Sequence, residues 1–178
     1  ALLFLHDQEF YDPDKAFNII SKNTAEGLPV DELINIAKRV LFGHNNSVSA
    51  IKLLDMLLAA QKAQPETLTK HLETRILYYL GEAYNKQNIS KETILLNERG
   101  LTLFSKHRAE DFSLWSALIK QRFYVLSWTV NSKLDRENLQ AWIDTVLQTN
   151  YLDGLAAEDK TEILNSILSA YVLGKTLQ

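Results

Sequence analysis

Apolar residues recur along this chain three and four positions apart, and no window alternates apolar with polar long enough to make a strand. That periodicity limits the fold more than any motif does, and it predicts an all-α protein. The punctuation agrees. The 178 residues include six glycines and three prolines, too few for the turns of an all-β fold or for a glycine-rich phosphate loop. At this length one domain is the default, and no proline- or serine-rich linker divides the chain. A single helical domain over residues 1–178 is therefore expected.

Caps and breakers divide the pattern into about eight helices. Asp12-Pro13 opens the first, residues 13–24, with Ala16, Phe17, Ile19 and Ile20 on its apolar face. Leu28-Pro29 starts a second that carries Leu33, Ile34, Ile36, Ala37, Val40 and Leu41 up to Gly43. Ser47 is the expected cap of the third helix, and Pro65 marks the next boundary. A fourth helix is expected from Glu66 to Lys86, and a fifth behind Ser90 as its cap. The sixth runs from near Ala109 to near Asn131, the seventh follows Asp135 as its cap, and the last, 157–174, ends at Gly174. The joints are short and polar, so successive helices should be antiparallel neighbours.

Three of these helices align on a small residue near their centres: Ala37, Gly81 and Ser127, each preceded by a large apolar residue (Ile36, Leu80, Leu126). The expected units are helical hairpins at 30–63, 66–106 and 109–149, flanked by the helices at 13–24 and 157–174. Stacking such hairpins builds a continuous core. The segment Leu80-Gly81-Glu82-Ala83-Tyr84 resembles the first-helix signature of a tetratricopeptide repeat, L-G-x-x-Y. That pattern's small, aromatic and small positions of the next helix fall on Thr93, Asn97 and Gly100, of which Gly100 fits. The resemblance implies a tetratricopeptide-like right-handed α-α superhelix with a concave face for a peptide or protein. The alternative is an irregular helical bundle.

Chemistry is scarce. The absence of cysteine excludes disulfides, thiol nucleophiles and cysteine metal sites, and fits a cytoplasmic or an extracytoplasmic location equally. His6, His44, His71 and His107 are too far apart to share a helix face as metal ligands. The acid pairs Asp31-Glu32, Glu110-Asp111 and Glu158-Asp159 fall at expected helix starts, where the helix dipole favours negative charge. Neither a nucleophile elbow nor a zinc-protease, P-loop or dinucleotide motif is present. A net charge of -3 and scattered basic residues argue against nucleic acid. No stretch approaches the about 20 apolar residues of a membrane helix. The Leu2–Leu5 run either packs on the first helix or is the cut end of a signal or membrane segment.

On these grounds the chain is read as non-enzymatic, with no cofactor and no metal. The expected function is a protein- or peptide-binding module. The alignment collects a groove from Arg75, Tyr78, Glu82 and Asn85 on the fourth helix and Gln121, Tyr124, Trp128 and Asn131 on the sixth. It also places Ile34 level with Tyr78 and Tyr124, and Leu41 level with Asn85 and Asn131. Aromatics supply contact area, and asparagine amides bond both N–H and C=O of a peptide. The competing reading is that the aromatics only pack on neighbouring helices with their polar tips exposed. The alternative function is a regulatory or sensor domain of a larger signalling or transcription-control protein. Val172, Leu173 and Leu177 predict that the last helix is covered by the body, by a second copy in a homodimer, or by another domain of the full-length chain.

Overall fold

The computed structural model describes residues 29–63 and 69–176. The expected helix at 13–24, the Leu2–Leu5 run, Gly27, Pro65 and Glu66 lie outside the described residues. Seven α-helices and two 3-10 turns account for most of the rest, and no strand occurs among the described residues. The protein is all-α. It divides into two compact units between Asn88 and Ile89. Asn88 sits in the left-handed region at φ 60 and ends its helix as the residue after the C-cap. The hairpin expected over 66–106 straddles this division.

The first unit holds α1 (Val30–Phe42), α2 (Ser47–Ala63) and α3 (Lys70–Lys86). Pro29 precedes α1, and Asp31 and Glu32 place negative charge in its first turn. The α1 stripe, Leu33, Ile34, Ala37, Val40 and Leu41, is buried, and α2 adds Ala50, Leu53, Leu54 and Leu57. From α3 come Ile76, Leu77, Leu80 and Ala83. Burying each leucine or isoleucine contributes about 1.5–3 kcal/mol. Val40, Leu41, Ala50 and Ala83 form one cluster, and the small side chains let the helices approach closely. Ser47 is not the cap of α2. Asn46 takes that role, its Oδ1 accepting the Ser49 N–H at 3.0 Å, while the Ser47 hydroxyl accepts from Gln87 at 3.2 Å. Thr69 caps α3 through the Leu72 N–H.

The second unit holds α4 (Ser90–Phe104), α5 (Phe112–Trp128), α6 (Lys133–Gln148) and α7 (Ala157–Thr176). Its core is built on Phe104, Trp115, Phe123 and Trp142, with Leu118, Ile119, Ile143, Val146 and Ile163 around them. Ser90 is the first residue of α4 and makes no cap; Ile89 precedes it without a side-chain bond. Asp111 caps α5, accepting from the Leu114 N–H at 2.9 Å. The cap of α6 is Ser132, and Asp135 is its reciprocal partner three residues on. The Ser132 hydroxyl and the Asn131 backbone N–H hold the Asp135 carboxyl below the usual aspartate value. Gly154 needs to be glycine twice over. Its φ of +79 lies in the left-handed region, and a Cβ there would strike the Phe112 ring. Gly174 does not end α7, which runs on to Thr176.

Side-chain bonds show how alternate helices lie within each unit. In the first, Arg75 reaches Asp31 and Asn35, Lys86 reaches Asn45, and Gln87 reaches Ser47, at separations of 40 to 44 residues. In the second, Ser116 bonds Asp159, Lys120 bonds Asp159 and Glu162, and Arg108 bonds Asn150, 39 to 43 residues apart. In both sets the partner's number rises with the donor's, so α1 runs parallel to α3 and α5 parallel to α7. That is the geometry of stacked hairpins. Burial also resets the alignment. Helices α3 and α5 are both 17 residues long and start at Lys70 and Phe112. Aligned on those starts, buried Thr74, Ile76, Leu77 and Ala83 match buried Ser116, Leu118, Ile119 and Val125. Gly81 then pairs with Phe123, and not with half-buried Ser127.

Candidate interaction surface

Helix α5 carries the most exposed aromatic side chains among the described residues. Phe112, Trp115 and Phe123 turn inward or are half-buried, whereas Tyr124 and Trp128, one helical turn apart, stand 52% and 72% exposed. Their rings lie 5.9 Å apart at 50°, a tilted pair that presents one continuous aromatic ridge.

The helix under this ridge is held from two sides. Toward α7, Lys120 donates to Asp159 at 3.0 Å and to Glu162 at 2.7 Å, and the Ser116 hydroxyl donates to Asp159 at 2.7 Å. The Ser116 hydroxyl and the Lys120 ammonium lower the Asp159 carboxyl below its ordinary value. Partial burial pulls Lys120 down, but the bonds to Glu162 and Asp159 outweigh it and the ammonium is held above the usual lysine value. Toward α4, the Asn97 amide donates to the Leu118 carbonyl and to Gln121 Oε1, both at 2.9 Å, and Arg122 pairs with Glu98 at 2.6 Å. Arg122 also lies over the Trp142 ring, 5.3 Å from its centre. Tyr124 and Trp128 are thus fixed at the backbone and free at the ring.

The eight expected groove residues fall into two groups, one in each unit. Tyr124 and Trp128 lie on the surface as expected. Gln121 does not: it is 4% exposed and ties α5 to α4 through Asn97. Asn131 is exposed but lies past the end of α5, in the connection to α6, where its backbone N–H donates to Asp135. The pairing of Asn85 with Asn131 is lost with it. In the first unit Arg75 serves α1, bonded to Asp31 and Asn35. Tyr78 is half-buried against Tyr79, 5.1 Å between ring centres, and burial, then Glu82 and Tyr79, push its phenol above the ordinary range. Glu82 and Asn85 are half-buried. Ile34 and Leu41, expected beside these residues, are fully buried core. The alignment failed there because those positions of α1 face α2 and α3 and not solvent.

The first unit offers an open hollow of about 320 Å³ lined among the described residues by Asn35, Lys38, Arg39, Phe42 and Gly43. Phe42 is 44% exposed beside it, edge-on to Tyr79, with the Lys86 ammonium 5.6 Å from its ring centre. Sequence reasoning missed Asn97 and Arg122. Asn97 fell where the repeat signature asks for an aromatic residue, and that misfit was the available signal. No group of three or more histidine and acidic side chains that could hold a metal occurs among the described residues, and no described helix is long and apolar enough to cross a membrane. Comparison with family models, curated proteins and solved structures gives no match.

Proposed function

We propose that this chain is a non-catalytic protein- or peptide-binding module and that the Tyr124–Trp128 ridge is its contact surface. The observation that carries this reading is two adjacent aromatic rings left largely exposed on a helix whose backbone is clamped on both sides. Rigid aromatics lose little conformational entropy on binding and dominate the energetics of protein interfaces. The tetratricopeptide-like signature at Leu80, Gly81 and Tyr84 favours the same class of function, and the parallel stacking of α5 with α7 is the arrangement in which such folds display one helix face. The test is an immobilised peptide array probed with the purified chain and with Tyr124→Ala and Trp128→Ala. The proposal expects peptides whose binding weakens at least about tenfold in either variant, with circular dichroism unchanged. An array that binds nothing, or binds all three proteins alike, removes it.

A further inference from the structure

Helix α7 has two apolar stripes. One, Ile163, Ile167 and Ala170, is buried in the second unit. The other, Leu164, Leu168 and Tyr171, is 43%, 62% and 41% exposed. Their spacing of four and three residues is that of a helix-packing seam. Helix α5 explains what this second stripe is built for. Aligned on their first residues, Phe112 and Ala157, the two helices place Leu164, Leu168 and Tyr171 opposite Ile119, Phe123 and Leu126. Those three residues of α5 are 0%, 1% and 6% exposed. What covers the middle one is α6, whose Trp142 ring lies 5.8 Å from that of Phe123. The same three positions are therefore apolar in both helices, buried in α5, where α6 covers Phe123, and 41–62% exposed in α7.

We infer that the outer stripe of α7 is a docking site for an amphipathic helix of a partner protein, seated on α7 as α6 is seated on α5. The patch continues the α6–α7 packing. Gln140 of α6 donates to the Tyr171 hydroxyl at 3.4 Å. Leu147, two turns on from Gln140 in α6, is itself 48% exposed. The incoming helix matches this surface if it runs antiparallel to α7 and carries the seam that α6 uses: Leu139, Trp142, Ile143 and Val146, all buried. A second copy of this chain fits less well. The α7 of a copy, residues Ala157–Thr176, offers no tryptophan to fill the seam as Trp142 of α6 does on Phe123.

The probe is a fluorescent peptide with the α6 sequence, residues 132–149, titrated against the 178-residue chain by anisotropy. Saturable binding is expected, weakened at least about tenfold by Leu168→Glu and unchanged by Trp128→Ala, which separates this site from the aromatic ridge. Leu168 is a surface residue, so circular dichroism of the variant should match the parent; Leu164→Asn, a milder change on the same stripe, repeats the measurement if it does not. No binding, or binding equal in the parent and the stripe variants, overturns the proposal. So does a concentration-dependent dimer in sedimentation that Leu168→Glu abolishes, since the occupant would then be a second copy.

Discussion

The two units bury different kinds of side chain. The core of the first, among the described residues, is leucine, isoleucine, valine and alanine, without one buried aromatic ring. That of the second is centred on two tryptophans and two phenylalanines, with Thr93, Asn97, Ser116 and Gln121 buried among them. Small aliphatic residues let α1, α2 and α3 pack closely, and of the polar side chains buried with them, Ser49, Glu73 and Thr74, the Thr74 hydroxyl is satisfied within its own helix by the Lys70 carbonyl at 2.7 Å. In the second unit polar side chains bridge from one element to the next: Asn97 to Gln121 and the Leu118 carbonyl, and the Trp115 indole to the Tyr151 carbonyl at 2.8 Å. The bridging is incomplete. Asn97 Oδ1, Arg122 Nε and Nη1 and Trp142 Nε1 are buried without a hydrogen-bond partner, at a cost that for each group runs to about 1–3 kcal/mol. The unit that carries both proposed binding surfaces is thus also the one with the less economical interior.

The contrast breaks most readily at its largest ring. Trp115→Ala removes a fully buried indole and its stack on Tyr151, and should cost about 3–5 kcal/mol. All three tryptophans, Trp115, Trp128 and Trp142, belong to the second unit, so fluorescence from the remaining two reports its urea midpoint. A midpoint within error of the parent would mean that the aromatic core is not what holds this unit. A smaller effect tests the tight packing of the first unit. Ala83→Leu forces three carbons into a fully buried position and should cost about 1–3 kcal/mol by overpacking. Tolerance without loss of the far-UV dichroism midpoint would show the aliphatic core to be looser than its small residues imply.

The smallest effect concerns the clamp of α5 on α7. The Asp159 carboxyl is lowered in the folded protein, so its contribution is present above the ordinary aspartate value and is lost as pH falls through the lowered one. Lys120 is raised, so its share is present below the ordinary lysine value and is lost as pH rises through the raised one. The clamp therefore operates across neutral pH. Both side chains are partly exposed, which limits the pair to at most about 1 kcal/mol. Urea titrations at neutral and acid pH should show the parent losing slightly more stability on acidification than Asp159→Asn does. Parallel losses would show that the bond to Ser116 and the pair with Lys120 contribute nothing measurable.

Much of this was legible in the residues. Helix existence, the inward stripes of α1 and α3 and the stop at Gly43 follow from periodicity and breakers. The three acid pairs do sit at helix starts, with Asp31 and Glu32 in α1, Asp111 capping α5, and Glu158 and Asp159 in the first turn of α7. Less was legible at the termini. Asn46 and Ser132 compete locally with Ser47 and Asp135 for the capping role, Ser90 begins a helix that has no side-chain cap, and long-range partners such as Gln87 decide which hydroxyl is free. The groove was half legible. A helical pattern repeats nearly every turn, so sliding one helix by four residues leaves its stripe intact, and the alignment that joined Asn85 to Asn131 cost nothing in periodicity.

What the sequence by itself determined is the helical state, because 3.6-residue periodicity and terminal breakers act locally. Which apolar stripe is covered was decided only by the tertiary structure. Ile119, Phe123 and Leu126 of α5 and Leu164, Leu168 and Tyr171 of α7 read alike as sequence. One set is buried and the other exposed because burial belongs to the partner helix as much as to the stripe: α6 lays Trp142 on Phe123 but reaches the α7 stripe only at Tyr171, through Gln140.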